Sequence, residues 1–289
     1  MSNPLGSSSD LLRKVQDLYE IPVDMADSSL FQIAKRWACR AVAWCETRYV
    51  KWLKVPSLPP WPSGDVDAVI ASNQYGQYCV PRSSAHRPAA LAVLRGRVYE
   101  PETIKLLINR EPEGDIVHAG TYFGDFVPAL ARSRVNGGVV WAFEPNPENV
   151  RCAKGTIHLN GLTNVVLTEG ALDEVRGIGR LATYSLEGVP LGGGSHLVEG
   201  PNEGSGANAR LIEVQLISID EVVPASRRVV VIHLDVEGHE HKALIGAVQT
   251  ITRCRPLLIL ETLPDRDLLA SLGYVVTGSV HGNSVVAPM

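Results

Sequence analysis

From Asp115 onward, five short apolar runs rich in β-branched and aliphatic residues (116–119, 139–143, 165–168, 229–234 and 257–260) alternate with helical stretches. No other feature constrains the fold as much. Near-continuous apolar strands separated by helices bury both faces when they lie in a parallel sheet with helices on each side. A doubly wound α/β domain follows, and such sheets take ligands in the crevice beyond the carboxyl ends of their strands. The final segment departs from the pattern. Residues 273–279 and 284–287 are strand-like and joined by His281-Gly282-Asn283, so the mostly parallel sheet is expected to finish in an antiparallel hairpin.

The domain is expected to occupy 99–289, with 1–98 as a helical N-terminal extension. That extension opens with a polar Gly/Ser run and a short helical pattern over 10–19, expected to be mobile. Ser28 or Ser29 then caps a helix in which Leu30, Ile33, Trp37, Ala41, Trp44 and Cys45 recur at helical spacing. The favoured reading packs this helix on its own domain with a solvated basic face; a lid over the substrate or a homodimer contact is the alternative. Pro56, Pro59, Pro60 and Pro62 break the helix and mark a linker. Residues 73–81, rich in Tyr and Gln, disclose no function, and 101–109 reads as a helix leading into the main domain. A Gly-rich stretch, 191–208, lies between the third and fourth strands as a substrate lid or a tolerated surface insertion.

Composition removes several function classes. A formal net charge of -4 argues against a nucleic-acid partner, because affinity for phosphate backbones comes from clustered Lys and Arg. No run approaches the roughly 20 apolar residues of a membrane span, and the N-terminus lacks a signal-peptide pattern, so a cytoplasmic protein with a small substrate is expected. The five cysteines are odd in number and dispersed, without C-x-x-C, which indicates neither a disulfide framework nor a thiolate zinc site.

The chemistry is concentrated at strand ends. The first strand runs into His118-Ala119-Gly120-Thr121-Tyr122-Phe123-Gly124-Asp125, where two glycines open a turn at a helix N-terminus and suit a nucleotide-like ligand. Tyr122 stands where a dinucleotide fingerprint needs its second glycine, which disfavours NAD. The second strand delivers Glu144 about 20 residues later, where a carboxylate accepts ribose hydroxyls, followed by Pro145 and Asn146 at the next helix start. After the third strand, Gly170-Ala171-Leu172 offers a small-residue turn against which an adenine ring can lie. The fourth strand ends in Asp235-Val236-Glu237-Gly238-His239-Glu240, a cluster expected to hold or deprotonate a nucleophile, with Asp235, Glu237 and His239 as catalytic candidates. No second His/Asp/Glu cluster stands nearby in sequence, so no metal is expected. Glu261, at the tip of the fifth strand, points into the same crevice on this topology.

In this order, the Gly120–Asp125 turn, Ala142-Phe143-Glu144-Pro145-Asn146, Leu159-Asn160-Gly161-Leu162, Ile217-Ser218-Ile219-Asp220 and above all Asp235-Val236-Glu237-Gly238-His239-Glu240 resemble the FkbM-type methyltransferases from about residue 99 to the C-terminus. The resemblance implies a class I, Rossmann-like methyltransferase fold, S-adenosylmethionine as cofactor, and O-methylation of a hydroxyl on a small secondary metabolite or glycan. It places Gly120, Gly124 and Asp125, with neighbours His118, Ala119, Thr121 and Tyr122, at the methionine end of the cofactor. Glu144 meets the ribose, with Pro145 and Asn146 beside it; Gly170, Ala171 and Leu172 meet the adenine; Asp235 sits beside the methyl-transfer point. Two departures stand out: His118 replaces the family's Asp, with Tyr122 where Asn is common, and His233 replaces its Lys. The alternatives are a cofactor-binding or interaction protein without catalysis and, less favoured, an NAD-linked oxidoreductase.

Overall fold

A computed structural model of the chain describes residues 66–199 and 210–289. The helix expected over 30–52, the pattern at 10–19, the proline break and residues 200–208 of the Gly-rich stretch lie outside the described residues.

In chain order the elements begin with β1 (Ala68–Asn73), β2 (Gly76–Pro81), α1 (Pro88–Leu94), α2 (Pro101–Ile108), β3 (Asp115–Ala119) and α3 (Val127–Arg132). Then come β4 (Val140–Glu144), α4 (Pro147–Leu159), β5 (Val165–Glu169), β6 (Ala171–Leu172), β7 (Gly177–Ala182), β8 (His196–Leu197) and β9 (Leu211–Ile217). The last group is α5 (Ile219–Val222), β10 (Val229–Leu234), α6 (Glu240–Ile245), α7 (Val248–Cys254), β11 (Leu257–Leu260), α8 (Arg266–Ser271), β12 (Tyr274–Val280) and β13 (Asn283–Pro288). The central sheet has the order β12-β13-β11-β10-β3-β4-β5. β13 runs antiparallel to both its neighbours, and the other pairs are parallel.

Successive strand residues enter opposite layers, as the period of two requires. Val117, Trp141, Ile232 and Leu258 pack with Leu244 and Ile251 on one face, while Ile116, Val140, Val231 and Ile259 pack with Ile104, Leu107 and Leu130 on the other. Asp115 pins the amino ends of the strands: its carboxylate accepts hydrogen bonds from Val139 N–H (2.9 Å), Trp141 Nε1–H (2.8 Å) and Arg227 Nε–H (2.7 Å). Beyond β4, Pro147 occupies the first turn of α4 and the Asn146 side chain caps it by accepting from Glu148 N–H. Asp220 accepts from Gln249 and Thr250 N–H, both at 2.8 Å, and so fixes α7 against α5.

Two features differ from the expectation. Residues 66–98 share a core with the main domain: Tyr78, Cys79, Val80, Ala90 and Val93 form one buried cluster with Tyr122, Phe123 and Cys152. The expected boundary at 98 therefore falls inside a packed region, because the apolar side of the β1–β2 hairpin is buried against α4. A second sheet, of order β6-β9-β7-β8, follows β5. β7 opens with Gly177 and Gly179, which masks its strand character in sequence. Of the cysteines, Cys79 and Cys152 are buried free thiols and Cys254 is half-buried and free.

Candidate active site

The glycine turn after β3 and the end of β4 form one unit. Gly120 and Gly124 have φ of 80° and 84°, and Tyr122 between them has φ of 51° in the left-handed region. This bend aims the Tyr122 N–H at the Glu144 carboxylate, which accepts it at 2.7 Å on Oε2. Oε1 accepts from Asn146 N–H at 2.9 Å and from Asn149 Nδ2 at 3.1 Å. Glu144 is only 3% exposed, and burial pushes its pKa up to about 7 although all three donors favour the ionised form. Gly120 serves packing as much as any ligand. A Cβ placed there would stand 1.9 Å from the carbonyl oxygen of Asp235, so only glycine lets the ends of β3 and β10 approach so closely.

Two spaces open on this unit. The first is a narrow slot between Glu144, Gly170, Ala171 and Leu172 on one side and Gly193, Ser195, His196 and Leu197 on the other. Its volume is about 30 Å³, room for a single water. Its roof is the 3₁₀ turn Gly192–Gly194 and the following residues: Asn149 Nδ2 donates to Gly192 O and Asn146 Nδ2 to Ser195 Oγ, each at 3.0 Å. A nucleoside fills the slot only when this strip lifts.

The second space is a cavity of about 500 Å³. Its lining joins His118, Tyr122 and Asp125 of the bend to Asp235, Glu237, His233 and Glu261, with Tyr99 and Glu100 at the start of α2 and His281–Asn283 at the hairpin turn. The hairpin is tied there by Asn283 Nδ2 donating to Glu100 Oε2 at 2.9 Å and by Glu102 N–H donating to His281 Nε2 at 3.2 Å. Five carboxyl groups face this space, against Arg87 as the one guanidinium in the lining among the described residues. Oxygens of Asp235, Glu237 and Glu261 lie within 4.8 Å of one another. Burial, then repulsion and a hydrogen bond from Glu261, holds the Asp235 carboxyl well above its ordinary range; burial also raises Glu237 and pushes Asp125 to about 7.

On the cavity floor, His118 and His233 are neighbours across the β3–β10 ladder, with Nδ1 atoms 2.9 Å apart. Burial, then the neighbouring His233, depresses the His118 pKa well below its ordinary value, and burial depresses His233 to about 4. Both Nε2 atoms are buried without a hydrogen-bond partner, as are Asn149 Oδ1 and Glu240 Oε2. An orphaned buried polar atom costs about 1–3 kcal/mol.

The candidate residues thus divide. Ala119, Gly120, Glu144, Pro145, Gly170, Ala171 and Leu172 line the slot; His118, Tyr122, Asp125 and Glu237 line the cavity; Asp235 and Gly120 line both. Thr121 is buried, its hydroxyl donating to His118 O at 3.3 Å, and the Gly124 backbone packs against Thr156. Asn146 reaches the roof through Ser195. His239 stands apart from the cavity: it lines the slot, with Nε2 2.8 Å from Asp173 Oδ2. The expectation of no metal rested on the lack of a second His/Asp/Glu cluster nearby in sequence; in space Glu261, from the tip of β11, joins Asp235 and Glu237 in a group with metal-ligand spacing. Sequence reading did not find Arg87, Tyr99, Glu100 or Asn149 as site residues, since they come from segments without motif character. Glu100 alone left a trace, standing before Pro101 at a helix start.

The strand order, the reversed strand beside the edge, and a carboxylate at the end of β4 facing a glycine bend define a class I methyltransferase fold. Residues 118–275 match the methyltransferase FkbM domain, and the chain belongs to that family. Among solved structures, the methyltransferase FkbM from Methylobacillus flagellatus KT aligns at 15% identity and a TM-score of 0.40, covering 61% of this chain and 43% of that one. This chain therefore spans less than half of that relative. A SAM-dependent methyltransferase from Aquifex aeolicus aligns at 13% identity and TM-score 0.37 (70% and 93% covered). M. jannaschii TYW2, solved in complex with AdoMet, aligns at 12% and 0.38 (77% and 84% covered). No curated protein matches the chain. Among the described residues no helix is long and apolar enough to cross a membrane.

Proposed function

We propose that this chain transfers a methyl group from S-adenosylmethionine to a hydroxyl of a small secondary metabolite or glycan. The observation that carries the reading is the junction at Gly120 and Asp235, the point where the slot beside Glu144 and the 500 Å³ cavity share a wall. Donor and acceptor held on either side of that junction would meet beside Asp235.

The residues fit the cofactor chemically. Glu144 Oε2 accepts one N–H and keeps lone-pair capacity for a ribose hydroxyl, and the Gly170-Ala171-Leu172 turn offers a flat, small surface to adenine. Asp125, Gly120 and Tyr122 would take the methionine end, with the Asp125 carboxyl turned to its ammonium. When bound, S-adenosylmethionine supplies a methyl group already activated by its sulfonium. The chain's task is to hold the reactants at attack distance and to receive the hydroxyl proton. Asp235 suits the second role: its carboxyl stands at the junction with Glu261 beside it, and burial and that neighbour raise its affinity for a proton. His239, hydrogen-bonded to Asp173 on the slot side, would support the nucleoside wall and not the proton transfer.

Calorimetry with S-adenosylhomocysteine tests the reading. The parent chain should bind it, and Glu144→Ala should weaken binding about 30- to 100-fold, the loss of a charge-assisted contact worth roughly 2–3 kcal/mol. Mass spectrometry of cells with and without the protein should then reveal an acceptor heavier by one methyl group. No binding by the parent chain would overturn the assignment.

A further inference from the structure

Residues 192–195, Gly-Gly-Gly-Ser, form the roof of the slot and carry no apolar side chain. Both ends of this strip are sewn to β7: Leu191 N–H donates to Thr183 O at 2.9 Å, and His196 and Leu197 pair with Ala182 and Leu181. Between those ends the strip rests on few contacts. Asn149 Nδ2 donates to Gly192 O and Asn146 Nδ2 to Ser195 Oγ, each at 3.0 Å, and the Ser195 hydroxyl in turn donates to Gly192 O at 2.7 Å. Gly193 lies on the Tyr122 ring, where a Cβ would come within 3.2 Å of Cδ1. Gly192, at a φ of 56°, backs onto Ser84 and the Tyr122 hydroxyl, which a Cβ would approach to 2.6 and 2.8 Å.

This resting place has two effects. It leaves the slot about 30 Å³, against the roughly 300–1,000 Å³ of ordinary ligand pockets. Gly193 also lines the large cavity, so the strip is part of the partition between the two spaces. Departure costs little: the hydrogen bonds to the capping end of α4 are each modest in net, and no apolar side chain of the strip leaves the core. The face laid bare is that of Tyr122, 4% exposed at rest, and an occupant of the slot covers it again. The amide that holds Gly192 O also donates to Glu144 Oε1 at 3.1 Å, so a ligand hydroxyl arriving at Glu144 enters beside the latch.

We infer that residues 192–195 are an autoinhibitory strap: at rest it shuts the slot and screens it from the large cavity, and an occupant must displace it, which joins the two spaces. That the occupant is the methyl donor rests on the function proposed above; the strap itself does not.

Two measurements on the full chain test this. The first is amide exchange followed by NMR on the ligand-free protein. Gly194 and Ser195 N–H, bonded to Leu191 O and Gly192 O, should exchange at least about tenfold faster, after correction for intrinsic rates, than Val198 N–H, bonded to Arg180 O of β7. Equal protection would overturn the strap. The second is surface plasmon resonance with S-adenosylhomocysteine, comparing the parent with Gly192→Ala and Ser195→Ala, which weaken the resting position. Association should quicken about tenfold or more in Gly192→Ala and about two- to tenfold in Ser195→Ala. The dissociation constant should fall by the same factor, because the open state is no longer scarce. Association unchanged or slower in the variants, or weaker binding, would overturn the proposal and make the strip a fixed wall. Should Gly192→Ala not fold, Ser195→Ala decides. If neither parent nor variants bind, the methyltransferase reading fails while the exchange rates still judge the strap; if the parent binds and the variants gain nothing, only the strap fails.

Discussion

The slot and the cavity share a wall yet are built on opposite principles. In the slot, the Glu144 carboxylate is already oriented by three N–H donors, with lone-pair capacity to spare, and is roofed by a strip hydrogen-bonded to the helix that follows it. In the cavity, carboxyls crowd one another and two imidazole nitrogens have no partner. A site whose charged group is already oriented needs only its roof strip to lift, and suits a ligand that is the same at every turnover. An electrostatically incomplete one gains most of its stability from its occupant, which is how a site discriminates between occupants.

Three changes would break or sharpen this contrast. The largest effect is expected at the shared wall, where Gly120→Ala drives a Cβ into the Asp235 carbonyl and places it at a φ of 80°. Backbone must move, so the variant should lose about 3–5 kcal/mol in denaturant unfolding and lose both sites together. Unfolding like the parent's would mean that the two strand ends are not held as closely as described. Next, Asp235→Asn should reduce turnover by about 10²- to 10⁴-fold, the usual share of a general base, while S-adenosylhomocysteine affinity changes by less than about tenfold. Equal losses in both would place Asp235 in the slot's function and not in proton transfer.

The smallest effect is a slope. The His118–His233 pair is buried neutral, so below the ordinary imidazole value of 6.5 the folded chain binds fewer protons than the unfolded one. Stability tied to His233 is therefore lost as pH falls from 6.5 through about 4. Asp125, Glu144 and Glu240, each raised to about 7, act oppositely: they bind protons more readily when folded and gain stability on acidification through that range. His233→Leu removes one imidazole and leaves the three carboxyls, so on going from about pH 7 to about pH 4.5 its melting temperature should change in a more stabilising direction than the parent's. An unchanged slope would show that His233 titrates alike in both states.

The difference between the sites also explains what was legible in sequence. Glu144, Gly120 and the Gly170 turn lie at strand ends of a parallel sheet, where chain order dictates position, and they were found by spacing alone. Val229–Leu234 and Leu257–Leu260 were read with their observed bounds, because buried parallel strands are apolar throughout. The cavity was legible on its β3, β10 and β11 sides, through His118, Tyr122, Asp125, Asp235, Glu237 and Glu261. Its other walls come from Arg87, from Glu100 before α2 and from the hairpin turn, which long-range packing brings together. The β1–β2 hairpin was missed because its apolar residues are few and interleaved with Ser, Asn, Gln and Gly, and the second sheet because its half-exposed strands pair across distant segments of the chain.

The hydrogen bonds from the 281–283 turn to the start of α2 connect residues 179 and 183 positions apart. The large cavity therefore owes its far wall to the last hairpin of the chain, so loosening that turn would open the chamber while the lining of the slot, which includes none of its residues, stays whole.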